Sequence, residues 1–158
     1  MDSDCLVKLT KAGAKEIVAV AMEIHIPYLV KKETVDDVKD RSYPDALVIE
    51  ENIKRKVLHL RRYKGKSSAA ISMTKGEEEV VSLYLGGGYE AVASDDRRFL
   101  KKLQVAGIPY LTSSACVLYL FINERIKKTA VIEILKGLSP FISKEEYDIS
   151  KFYLEGKE

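Results

Sequence analysis

EAVASDDRRFL, residues Glu90 to Leu100, contains the junction on which the fold turns. Ala91, Val92 and Ala93 form a short apolar run of the kind that makes a buried strand. Ser94, Asp95 and Asp96 then open a helix, which Phe99, Leu100, Leu103 and Ala106 continue at helical spacing. One carboxylate there is explained by capping, because it accepts backbone N–H groups and suits the positive end of the helix dipole. Two adjacent carboxylates repel each other unless a cation or water offsets them. Taken alone, the stretch favours the cap; the second acid raises the question of a further task.

Working outward, apolar runs alternate with helical patterns. Apolar residues recur every three or four positions from about Cys5 to Met22, which predicts one helix. HIPYLV reads as a short strand and KKETVDDVKD as a helix. Pro44 suits the first turn of a helix through PDALVIEENIKR. KVLHLRRY reads as a strand, GEEEVVSLYLG as a helix stopped by glycines, IPYL as a strand, and the last third as helical. Strands separated by helices predict an α/β fold with a parallel sheet covered on both faces. No linker-like tract divides the 158 residues, so a single domain over 1–158 is expected.

The hydrophobic share is 46% and the charged share 32%, as in a well-solvated folded protein. The formal net charge is only +2, so affinity for nucleic acid depends on where charge is placed rather than on its total. Cys5 and Cys116 lie in apolar contexts and read as buried free thiols. MDSD has no charged-then-apolar leader, and ACVLYLFI is too short to span a bilayer. A cytoplasmic protein without membrane contact is expected.

In an open parallel sheet, sites form beyond the carboxyl ends of the strands, where Asp95 and Asp96 fall. Other acids occupy comparable places: Asp2 and Asp4 at the first helix, Glu33 after HIPY, and Glu77, Glu78 and Glu79 in the first turn of another helix. Each has an ordinary explanation in capping, dipole or surface charge. His25 and His59 fall inside strand patterns and read as packed or edge residues. Taken together, the acids suit a hard divalent ion, Mg²⁺ or Mn²⁺, and not zinc, which wants Cys or His at ligand spacing. Such an ion supports phosphodiester hydrolysis. A Walker-type loop and a GxSxG elbow are both missing from the sequence.

The chain resembles the PIN-domain family of metal-dependent ribonucleases, which includes toxins of the VapC type. MDSDCLVKL is similar to the family's opening Asp-Thr/Ser-Asn/Asp before an apolar helix, PYLVKKE to its Pro-x-x-Val-x-x-Glu, GEEEVVSLYL to its Gly-Glu-x-Glu, and VASDDRRF to its strand and following acids. The resemblance implies catalytic, metal-holding acids at Asp2, Glu33, Glu79 and Asp96, with Asp4, Glu77 and Asp95 in support. It implies a three-layer α/β/α sandwich with a central parallel sheet, Mg²⁺ or Mn²⁺ as cofactor, and RNA as substrate. For a VapC-like protein it also implies a toxin role, an antitoxin partner and a homodimer. Glycines usual in one small prokaryotic subgroup near Ser113 and Cys116 are not here. The family carries an apolar strand before its first Asp, whereas only Met1 precedes Asp2, which predicts a start assigned too late or a truncated central strand.

Two other functions compete. DSDCLV also fits the Asp-x-Asp of a haloacid-dehalogenase-type phosphatase, although that reading leaves Glu33 and the glutamate triplet without a task. A catalytically inactive PIN-like scaffold that binds RNA or protein is the non-enzymatic rival. For RNA contact the candidates are Arg61, Arg62 and Lys64, within the basic run KRKVLHLRRYKGK, together with Arg97 and Arg98, aided by Lys101 and Lys102. Protection of a sheet edge explains the basic run equally well.

Overall fold

The computed structural model describes residues 1–41, 43–62 and 72–156. Its helices are α1 (Ser3–Lys11), α2 (Lys15–Ala21), α3 (Tyr28–Thr34), α4 (Pro44–Lys54), α5 (Lys75–Leu85), α6 (Arg97–Val105), α7 (Ser113–Ile122), α8 (Lys128–Leu138) and α9 (Lys144–Glu155). Short strands β1 (His25–Pro27), β2 (His59–Arg61), β3 (Val92–Ala93) and β4 (Tyr110–Leu111) are interleaved with them, and a 3₁₀ segment spans Asp36–Arg41. This is the expected α/β order, with more helix and less strand than the sequence pattern suggested.

All strand pairing among the described residues is parallel. β1 pairs with β2 through His25 opposite His59, Ile26 opposite Leu60 and Pro27 opposite Arg61. β3 pairs with β4 through Val92 opposite Tyr110 and Ala93 opposite Leu111. Among the described residues the sheet is thus two two-stranded pairs. Met1 and Asp2 lie between them: the Met1 amino group donates to the His25 carbonyl at 2.9 Å, and the Asp2 N–H donates to the Ala93 carbonyl at 2.9 Å. Those two residues stand where a central strand joins both halves, and they hand the chain directly into α1.

Local chemistry explains the departures from the sequence pattern. The helix expected from Cys5 to Met22 breaks after Lys11, because Gly13 adopts φ +67° and the Ala14 N–H returns to the Leu9 carbonyl at 2.9 Å. That is a Schellman stop, which glycine makes without steric cost. HIPYLV is strand only to Pro27, whose fixed φ precedes the first turn of α3. The helix expected over KKETVDDVKD stops at Thr34 and continues as the 3₁₀ segment. Gly87 and Gly88, both at positive φ, end α5 as the sequence predicted.

The core gathers Leu6 and Leu9 of α1, Ile26 of β1, Val80 and Val81 of α5, Phe99 and Leu103 of α6, and Val117 and Leu120 of α7. Cys5 and Cys116 are both buried and free, as expected, and meet in this core. No described helix is long and apolar enough to cross a membrane. Helix α5 packs on β1 and β3, and α3 on α1 and α5. This packing brings the start of α1, the end of α3 and the starts of α5 and α6 to one place.

Candidate metal centre

At that place lies a cavity of about 160 Å³, lined by Asp2, Asp4, Glu33, Glu77 and Asp96, with Ser3, Thr74 and Gly76 between them and Val30, Val80 and Phe99 as its apolar part. Five carboxylates from four helices converge there. Three of the helices present their N-terminal ends, whose dipoles favour negative charge. Phe99, 1% exposed, anchors α6 in the core while Asp96, Arg97 and Arg98 stay at the surface.

Asp2 is the buried member, 9% exposed. Its Oδ1 caps α1 by accepting the Cys5 N–H at 3.0 Å, and its Oδ2 accepts a very short hydrogen bond from the Ser94 hydroxyl. Burial pushes its carboxyl from the usual carboxylate range up to about 6, against the opposing pull of those two hydrogen bonds. Ser94 is fully buried, and its Oγ also accepts the Asp96 N–H at 3.2 Å. One hydroxyl therefore spaces Asp2 from Asp96. The sequence reading placed Ser94 at the helix start but gave it no part in the site; the signal was its position two residues before Asp96.

Asp96 caps α6 through Oδ1, which accepts the Arg98 N–H at 2.7 Å and the Phe99 N–H at 3.2 Å. Glu33 is held by the Ser3 hydroxyl at 2.5 Å. A Cβ at Gly76 would come within 3.1 Å of Glu33 Oε1, so the glycine makes room for that carboxylate. Asp4 is exposed and pairs with Lys8 at 2.9 Å. Glu77 closes a capping box with Thr74 and receives Lys102 Nζ at 2.7 and 3.0 Å. Lys102 offsets some of the negative charge gathered in the cavity.

Two expected ligands are placed elsewhere. Glu79 Oε2 accepts the Leu29 N–H at 2.7 Å, capping α3, whose own N-cap Pro27 offers no side-chain acceptor. Residues two apart on a helix do not share a face, so Glu77 and Glu79 diverge. Of the two, Glu77 lines the cavity and Glu79 does not. Asp95 also turns away: its side chain is 2% exposed, and Oδ1 accepts the Ser113 N–H at 2.8 Å at the start of α7. Its buried Oδ2 has no hydrogen bond among the described residues, with Lys8 Nζ 3.7 Å away. Burial raises its carboxyl above the ordinary value, while Ser113 and Lys8 act the other way. The two adjacent aspartates thus serve different places: Asp95 ties β3 to α7, and Asp96 faces the cavity.

Of the basic candidates, Arg97, Arg98 and Lys101 are exposed on α6 beside Asp96. Arg61 is exposed at the carboxyl end of β2. Arg62 stacks its guanidinium 4.2 Å from the centre of the Tyr28 ring. Lys64 lies outside the described residues.

The donors around the cavity are carboxylate and hydroxyl oxygens, a set that fits Mg²⁺ or Mn²⁺. A family model described as PIN domain matches residues 1–148. No curated protein and no solved structure matches the chain.

Proposed function

Because the chain belongs to the PIN-domain family, whose members are generally nucleases, we propose that it is a Mg²⁺- or Mn²⁺-dependent endoribonuclease. The observation that carries this reading is the convergence of Asp2, Asp4, Glu33, Glu77 and Asp96 on one cavity. Asp2, Glu33, Glu77 and Asp96 would hold the metal, with Asp4 at the rim. Bound there, such an ion would supply an activated water and would stabilise the departing oxygen of a phosphodiester. The chain's own residues fix the geometry. Ser94 and the Cys5 N–H orient Asp2, Ser3 orients Glu33, and the α6 backbone orients Asp96 through one oxygen, leaving its second for the metal. Arg97, Arg98 and Arg61 offer cations to the RNA backbone on the side where the acids would otherwise repel it. The phosphatase reading gains nothing from this arrangement, since it gives Glu33 and Glu77 no task.

The two glutamates of α5 test the assignment against each other. Glu77→Gln is expected to reduce metal-dependent cleavage of single-stranded RNA by at least about 100-fold, beyond the effect usual for outer-shell partners. Glu79→Ala is expected to leave cleavage within a few-fold of wild type and to cost about 1 kcal/mol of stability through the lost cap of α3. The reverse pattern would return the site to Glu79. Replacing Arg97 and Arg98 by Ala is expected to weaken binding to every single-stranded RNA tested, and to flatten the slope of log affinity against log salt by roughly 0.7 per lost phosphate contact. An unchanged slope in filter-binding titrations would remove these arginines from the RNA path. A toxin role would appear as growth arrest on expression of wild type that the Asp96→Asn variant does not cause.

A further inference from the structure

We infer that Glu23, His25 and His59 form a second metal site, for a borderline transition ion such as Zn²⁺ or Co²⁺, separate from the acid cavity. One ligand atom from each of these side chains lies within 4.8 Å of the others. The sheet itself creates the cluster. His25 and His59 are register partners on parallel β1 and β2, and their ring centroids are 5.1 Å apart. Glu23 is two residues before His25, so in extended chain it projects to the same face. Its Oε1 lies 2.8 Å from His25 Nε2.

A surface ion pair accounts for Glu23 and His25 but leaves the placement of His59 unexplained. Two imidazoles and a carboxylate are a three-ligand zinc set with an open fourth position. Ligands about 2.0–2.1 Å from a tetrahedral ion stand roughly 3.3 Å apart, so modest side-chain rotations bring these three onto one ion. Tyr89 adds a second independent feature. Its hydroxyl lies 2.8 Å from His25 Nδ1, the arrangement that fixes which imidazole nitrogen faces a metal. Glu23, His25 and Tyr89 also line a cavity of about 610 Å³, which gives an ion a path in. These histidines stand at the amino ends of β1 and β2, whereas the cavity acids follow the carboxyl ends of the strands. Their nitrogen donors select ions that the oxygen-only cavity does not favour.

Co²⁺ titration of the metal-free protein, followed by visible absorption and then displaced by Zn²⁺, tests the inference. Wild type should develop the intense band of a tetrahedral site at one equivalent and lose it to Zn²⁺. His59→Ala should lose the band and at least about tenfold in Zn²⁺ affinity, and Tyr89→Phe, which keeps both histidines and the ring, should weaken Zn²⁺ about tenfold. Asp96→Asn should titrate as wild type, so that the inference stands or falls apart from the nuclease reading. Zn²⁺ at a hundredfold excess over its dissociation constant should raise the melting temperature of wild type by about 8 °C. Absence of a tetrahedral band in wild type, equal Zn²⁺ affinity in His59→Ala, or loss of the band in Asp96→Asn would each overturn it.

Discussion

Asp96→Asn is expected to lower metal-dependent RNA cleavage by at least about 100-fold while the protein stays folded. The two halves of this result have separate causes. Asparagine caps a helix as well as aspartate does, so the hydrogen bonds from the Arg98 and Phe99 N–H groups survive, and with them the anchoring of Phe99. The charge is lost, however, and a neutral amide oxygen is a poorer ligand for a hard dication. Removing one of several crowded carboxylates also relieves repulsion when no metal is present, so the metal-free variant should melt no lower than wild type. Metal should raise its melting temperature less than that of wild type, because an ion stabilises only the state that binds it. Wild-type cleavage by Asp96→Asn would take Asp96 out of the site.

The second large effect is a pH dependence centred on Asp2. Its carboxyl is raised from 3.8 to about 6 in the fold, with burial as the leading cause. Between those values the folded chain keeps a proton that the unfolded chain has released. Folding therefore takes up a proton in this window, and stability falls as pH rises from about 4 to 6. The shift corresponds to roughly 3 kcal/mol lost across the window in the metal-free protein. A divalent ion needs the ionised carboxylate, so its stabilising effect should grow as pH rises through 6. Asp95 is shifted in the same direction and adds to the slope. Asp2→Asn keeps a capping side chain but cannot titrate, so denaturant midpoints at pH 4 and 6.5 should differ less in this variant than in wild type. Equal pH slopes for the two proteins would mean that Asp2 is not held protonated by its burial.

Much of the element order could be read along the chain, because it depends on local patterns. The glycines that stop α5 and the proline that opens α4 act within a few residues of themselves. The break at Gly13 was also local, yet the apolar repeat on both sides concealed it. Site residues separated more sharply by range. Asp2, Glu33 and Asp96 were expected together and do line one cavity. Which of Glu77 and Glu79 lines the cavity depended on helical phase relative to α3, a relation that the glutamate run does not contain. Asp95 looked like a partner of Asp96, but adjacent residues at a helix start diverge, and the N–H that it accepts, from Ser113, lies 18 residues on. The pairing of His25 with His59 needed strand register, which neither segment specifies alone. The division of the sheet around Met1 and Asp2 likewise depends on hydrogen bonds to β1 and β3.

The most direct measurement is the rate of single-stranded RNA cleavage by the purified wild-type protein as Mn²⁺ is titrated from zero in the presence of a chelator. If the acid cavity is the catalytic centre, internal cleavage should be absent in the chelator, rise and saturate with free Mn²⁺, and be supported by Mg²⁺. Cleavage that persists undiminished in the chelator, or none at any concentration of either ion, would contradict the account.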